Sequence, residues 1–212
     1  MKTNFSRFAS AALALALCGC VGTSLDANLK SPAYHGGAVQ KVAVVAVDER
    51  VLIRQGFENR FARQMTEQAQ NAMVTYDLFS LPEIKADKQA ATTRFQQAGA
   101  DALLVIRLAN QATQARQTQT TQNSLFVPVI DGYGYNDWYD YYSVSFVNMS
   151  TTWGDSKTEV YLECSLYDLK TSQRIWAGGT VTVLKEGMDR VAQMEPIVSK
   201  VLSALRKDGL IH

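Results

Sequence analysis

Lys41 to Val47 reads Lys-Val-Ala-Val-Val-Ala-Val, and this run limits what the chain can become. An unbroken apolar stretch rich in β-branched side chains predicts a central strand with no wet face. A strand dry on both sides needs cover on both sides, so the chain must surround this segment with other elements.

The sequence downstream supplies that cover. After a connection over Asp48 to Gly56, the segment Phe57 to Met73 places Phe57, Phe61, Met65, Ala69 and Met73 at every fourth position, which predicts a helix. Tyr76 to Leu81 is expected as a short strand ending near Pro82. Lys88 to Ala98 is expected as a second helix, with Ala91, Phe95 and Ala98 inward and Gly99 at the C-cap. Ala102 to Leu108 is the next apolar strand. Its continuation, Ala109 to Gln122, is rich in Gln and Thr, and the strand preference of Thr favours a half-exposed edge over a surface loop. Ser143 to Met149, Thr158 to Leu169 and Arg174 to Leu184 follow as strands. Turns fall at Trp153-Gly154-Asp155 and Lys170-Thr171-Ser172, and Gly178-Gly179 marks a bulge or a close approach. The last helix carries Val191, Met194, Val198, Val201 and Leu205; Pro196 either kinks it or marks its true start near residue 195. The predicted order is β-α-β-α-β-β-β-β-α. That is an α/β (α+β) domain with a single mixed β-sheet of about six strands and helices packed against it.

The amino terminus reads as an address. Lys2 and Arg7 flank the start of an apolar run, Phe8 to Leu17, that is shorter than the ~20 residues a spanning helix needs. It has the length and flanks of a secretory signal. The run ends in Leu17-Cys18-Gly19-Cys20, which resembles the bacterial lipobox, with Leu three before the modified cysteine and a small residue just before it. Cys20 fits as the lipidation site; Cys18 fits less well, because Leu17 would then fill the small-residue position. Residues 1–19 are therefore expected to be a removed signal peptide and residues 20–40 a lipidated Cys and tether. Residues 41–208 are expected to form a single periplasmic domain. Gly22, Ser24, Asn28, Ser31, Pro32, Gly36 and Gly37 give 20–40 the composition of a linker, and any docked, irregular strand within it is expected at Pro32-Ala33-Tyr34. Val21-Gly22 lack the Asp that holds many enterobacterial lipoproteins in the inner membrane. The expected place is the outer membrane, periplasmic face, with the lipid on Cys20 as the membrane contact.

Charge and chemistry narrow the function. Losing Lys2 and Arg7 turns a formal charge of +1 into −1, without the basic excess of a nucleic-acid surface. Cys164 then has no disulfide partner. It shares a strand face with Val160, Leu162 and Leu166 and is expected in the core. His35 and His212 lack ligand-spaced partners, which argues against a zinc or histidine-based site. Asp131, Asp137 and Asp140 lack the alternation of a calcium loop and read as turn residues. No catalytic residue, cofactor or metal is expected.

The most unusual segment is the aromatic loop 125–142, which holds five of the nine tyrosines, Tyr133, Tyr135, Tyr139, Tyr141 and Tyr142, beside Trp138. Gly132, Gly134, Asn136 and Asp137 supply turn chemistry. Tyr and Trp offer large contact area at low entropy cost, so these six aromatic residues are expected to contact a partner. In the competing reading the rings fold back over the sheet edge.

Three features together resemble a known group: Lys41 to Val47 at the start, Gly99-Ala-Asp-Ala-Leu-Leu-Val105 after the second helix, and Val160 to Trp176 with its turn at Asp168. They resemble small bacterial outer-membrane lipoproteins with a TolB N-terminal-like or CsgG-like (PelC-type) periplasmic domain, across roughly residues 39–207. In that group the hairpin reads Asp-x-x-Thr-Gly-x-x-x-Trp; here Ser172 stands at the glycine and Trp176 closes the pattern. The resemblance implies a TolB N-terminal-domain-like fold and a non-enzymatic scaffold that binds another envelope protein or self-associates, often in rings, for assembly, secretion or export. It carries over no catalytic residue. The aromatic insertion departs from the pattern and leaves open a glycan- or lipid-surface-binding module. A hydrolase built on loop acids such as Asp155 and Glu159 is the third reading, and nothing in the sequence places them in a cleft.

Overall fold

A computed structural model describes residues 22–109, 137–140, 142, 159–183 and 192–212. Among these, six strands form one sheet: β1 (Gly22–Lys30), β2 (Lys41–Val47), β3 (Asn71–Val74), β4 (Ala102–Ala109), β5 (Glu159–Asp168) and β6 (Arg174–Val183). Four helices accompany them: α1 (Val51–Glu67), α2 (Leu81–Ala86), α3 (Lys88–Gln97) and α4 (Glu195–Lys207). The strand order is β1-β6-β5-β4-β2-β3. β2 runs parallel to β3 and β4, whereas β4, β5, β6 and β1 pair antiparallel in turn. The sheet is mixed, as expected.

Both faces of β2 are covered. Val42, Val44 and Ala46 face α1 and α4 in a core with Phe57, Phe61, Met65, Val198, Val201 and Leu205. Ala43, Val45 and Val47 face the other way, into a second core with Ile84, Phe95, Trp138 and Tyr142. Cys164 lies in the first core, as its strand alternation predicts, and burial pushes its thiol pKa well up. Asp101 of the Gly-Ala-Asp segment accepts the Gln40 and Lys41 amides at 2.8 Å each, fixing where β2 begins. Gly99 takes φ +84° after α3 as a C-cap should. In the β5–β6 turn, Ser172 adopts φ +60° where the resembled motif has glycine, and Asp168 holds the turn through the Thr171 amide at 2.7 Å. Pro196 stands in the first turn of α4, so it marks the start of that helix.

Several expectations need correction. The first helix starts at Val51, not Phe57, and ends at Glu67; its inward stripe is Ile53, Phe57, Phe61 and Met65. Ala69 turns the chain at φ +64°, and Met73 belongs to β3. The strand expected over Tyr76 to Leu81 is displaced to Asn71–Val74. A helix missed in the sequence, α2, begins after Ser80, whose hydroxyl and backbone exchange hydrogen bonds with Glu83 in a capping box. The largest correction concerns the tether. Residues 22–30 are not free linker but the edge strand β1, paired with β6 from Gly22↔Val183 to Lys30↔Trp176. Its composition is polar because one side of an edge strand faces water, and its partner lies far away in sequence. Pro32-Ala33-Tyr34, where docking was expected, is not strand. The strands expected at 109–122 beyond Ala109, and at 143–149, lie outside the described residues.

Candidate functional site

Three sets of side chains carry potential chemistry: the aromatic turn, the buried ion pairs, and the strand β1 with its contacts.

The aromatic turn is built by Asp137. Its carboxylate accepts the Tyr139 amide at 2.8 Å and the Lys88 ammonium, and its backbone bridges to Gln173. That cap turns residues 138–140 into a short helical segment and drives Trp138 inward. Trp138 meets Phe95, Tyr139 and Tyr142 edge to face, with ring centroids 6.1, 5.6 and 6.3 Å apart. Such pairs add to the area they bury. The Tyr142 hydroxyl donates to the Leu81 carbonyl at 2.6 Å, and that of Tyr139 donates to the Lys85 carbonyl, so both phenols are tied to α2. Burial raises the Tyr142 phenol pKa well above its ordinary value. Trp138 and Tyr142 are wholly buried and Tyr139 is half-buried. The expectation that Trp138 and Tyr142 contact a partner is therefore corrected: both are core of this chain. Tyr133, Tyr135 and Tyr141 lie outside the described residues, as does Cys20.

The buried charges are spent on internal ties that sequence reasoning did not single out. Glu58, on the inner face of α1, accepts from the Ala46 amide at 3.2 Å, Arg54 Nε at 2.8 Å, the Thr75 amide at 2.6 Å and the Tyr76 amide at 2.9 Å. One carboxylate thus joins β2, α1 and the turn after β3. Burial raises its pKa, while Arg54 and the amides pull the other way. Arg54 also donates to the Phe79 carbonyl at 2.9 Å. On the opposite face, Arg107 of β4 pairs with Glu163 directly across on β5, Nε to Oε2 at 2.6 Å. The signal for both pairs is present in the sequence: Arg54 and Glu58 are four apart on a helix, and Arg107 interrupts an otherwise apolar strand while Glu163 stands between the apolar Leu162 and Cys164. Among the described residues, no group of three or more His, Cys, Asp or Glu side chains is placed to hold a metal ion. The only acids of the proposed turn cluster to be described are Asp137 and Asp140, and Asp137 is engaged with Lys88 and Tyr139.

The third feature is the end of the sheet where β1 begins. Gly22 pairs with Val183, two residues after Cys20 in the chain. β1 is held to the body beyond its ladder: Asp208 accepts Asn28 Nδ2 at 2.8 Å and Trp176 Nε1 at 2.9 Å, and its carbonyl accepts Lys30 Nζ at 2.9 Å.

No family model matches this chain, and no curated protein matches it by sequence. Among solved structures it is similar to the PelC dodecamer from Paraburkholderia phytofirmans, at 13% identity and a TM-score of 0.47, over 90% of this chain and 100% of that one. A second crystal form, of a single-residue variant of that PelC dodecamer, gives 12% identity and 0.46, over 88% and 98%. The lipoprotein GNA1162 from Neisseria meningitidis is similar at 14% identity and 0.37, over 79% and 96%.

Proposed function

We propose that the chain is a non-enzymatic envelope lipoprotein, held at the periplasmic face of the outer membrane by a lipid on Cys20. It acts there as a rigid scaffold that binds envelope proteins or copies of itself, on a domain of the TolB N-terminal type. The observation that carries the scaffold reading is where the buried ionisable groups are spent. Glu58, Arg54, Arg107 and Glu163 join strand to strand and helix to sheet. A catalytic acid or base needs a proton path to a substrate; Glu58 and Arg54 hold each other, the Thr75 hydroxyl, three backbone amides and the Phe79 carbonyl, and Arg107 pairs with Glu163. The anchor reading rests on the lipobox-like Leu17-Cys18-Gly19-Cys20 and on a body whose first strand starts almost at the lipid. A partner contact by the aromatic loop now rests on Tyr133, Tyr135, Tyr141 and the half-buried Tyr139, since Trp138 and Tyr142 are interior.

The test is the mass of the native species. Lipidated chain extracted in mild detergent is expected to run as a defined oligomer, or to crosslink to one envelope protein through a photoreactive residue at Tyr135. A monodisperse monomer that captures nothing refutes the scaffold. An unmodified amino terminus, or Cys20→Ala protein that stays with the membrane, refutes the anchor.

A further inference from the structure

Among the described residues four large apolar side chains stand exposed, and three of them gather at one end of the body. Val51 and Leu52, which open α1, are 62% and 76% exposed, and Val183, which closes β6, is 48% exposed. The register puts them at the same end. Val183 pairs with Gly22. β2 and β4 run parallel toward this end, and the chain leaves Val47 through Asp48 to Arg50 directly into Val51. The fourth side chain, Leu29, lies at the other end of β1.

Only Val21 separates Gly22 from Cys20. Two residues of extended chain span at most about 7 Å, so a lipid on Cys20 leaves the body no slack. We infer that this end rests directly on the lipid bilayer, with Val51, Leu52 and Val183 at the boundary between headgroups and acyl chains. The inference rests on the lipidation proposed above. An apolar patch held at a bilayer by a short anchor enters the interface, where apolar side chains are favoured and nearby charges stay at headgroup level. The charges beside the patch suit that depth. Asp48 neutralises Arg50 through a 2.8 Å contact from Nε, and Glu49 at the same turn remains exposed to the headgroups. The β5–β6 turn with Thr171, at the opposite end of the sheet, points away from the membrane.

The test uses the lipidated full chain in phospholipid vesicles. Single cysteines placed by Leu52→Cys, Val183→Cys and, as far-end control, Thr171→Cys carry a fluorophore; Cys164 is buried and does not label. Phospholipids bearing a nitroxide high on the acyl chain report contact with lipid alone. Emission at positions 52 and 183 is expected to fall several-fold more than at position 171. Equal or weaker quenching at 52 and 183 overturns the inference, and so does a blue shift there without quenching, which would mean a second copy of the chain covers the patch. Mass spectrometry of the vesicle-bound fraction separates the two readings. A lipidated Cys20 without quenching sinks only the resting surface, whereas an unmodified terminus sinks the anchor and this inference with it.

Discussion

Glu58→Ala should be the most damaging single truncation of a polar side chain in the body. The carboxylate is fully buried and receives four N–H donors from three separate elements. Removing it leaves Arg54, 7% exposed, with its charge uncompensated and only the Phe79 carbonyl and Thr75 hydroxyl as partners. It also leaves the amides of Ala46, Thr75 and Tyr76 without this acceptor. Breaking one side of a buried pair costs about 3–5 kcal/mol, and the orphaned amides place this case toward the upper end, about 5 kcal/mol. That is a large part of the roughly 5–15 kcal/mol that holds a domain together. Arg54→Met in the Glu58→Ala background should then cost much less than in the intact chain, because the charge it removes is no longer paired; the expected coupling is about 2 kcal/mol or more. Urea unfolding followed by tryptophan fluorescence measures both. The pH dependence adds a sign. Burial raises the Glu58 pKa, so the folded state holds this proton more tightly than the unfolded chain. The proton-linked part of its contribution is greatest below the ordinary glutamate value and is lost as pH rises through the folded pKa, while the hydrogen bonds and the packing remain. Glu58→Ala should remove that slope. A loss of stability under about 1 kcal/mol, or additive costs for the two substitutions, would refute the description of this cluster as one coupled joint.

Other consequences can be checked on the same protein. Trp138→Ala should cost about 3–5 kcal/mol as an emptied core site, whereas Trp138→Phe should cost much less because Nε1 makes no hydrogen bond among the described residues; near-equal losses would contradict the burial of this ring. Gly178→Ala places a methyl 2.3 Å from Trp176 Cη2, and should lower stability by about 2 kcal/mol through displacement of that ring and quench or shift its emission. The Ser80 hydroxyl and amide hold the Glu83 carboxyl below its ordinary pKa, so this contribution is present above the ordinary value and disappears as pH falls through the folded one; NMR titration should show the depressed value, and Ser80→Ala should bring it only part of the way back, because the residue-80 amide still donates. Cys164 should resist thiol reagents in the native state and react on unfolding, since burial raises its pKa and no reagent reaches it; labelling at native rates equal to those in urea would contradict a core position.

What the sequence made legible was decided by local signals. Apolar runs marked β2 and β4, alternation marked β5, and Gly99 and Pro196 marked helix ends, because each of these residues fixes its own backbone or its own face. The first helix slipped by more than a turn because the residue that ends it in the left-handed region is Ala69, not glycine, and because Gly56 is accommodated inside the buried side of α1. The capping box of α2 was present as Ser80-Leu-Pro-Glu83, but Pro82 read equally well as a strand terminator. β1 had no local signal at all: Gly22, Ser24 and Asn28 become strand through pairing with β6, more than a hundred residues away in the chain. The aromatic loop was legible as unusual but not as interior. Nothing in the composition of Trp138 and Tyr142 shows which way they point; Asp137 settles that by capping the turn, and the helix carbonyls of Leu81 and Lys85 complete it by accepting the phenols.

If Cys20 carries the proposed lipid, the position of β1 joins anchoring to folding. An edge strand exposes unpaired backbone, and proteins blunt such edges by shortening or bulging them. Here the edge at β3 is only four residues long, and β1, at nine residues, is broken by a register shift between Leu25 and Ala27. With the lipid proposed above on Cys20, a load there would enter the body through the β1–β6 ladder and through the Asp208 contacts to Asn28 and Trp176. Asp208 lies at the end of α4, whose apolar side fills the first core. The proposed attachment would be only as firm as the pairing of the edge strand. Weakening Asp208 should therefore let β1 fray while the remaining strands keep their core, and the body would then hang from the lipid on a flexible leash. Amide exchange over residues 22–30, accelerated in Asp208→Ala and unchanged over β4 and β5, is the expected signature; uniform acceleration would mean that β1 and the core open together.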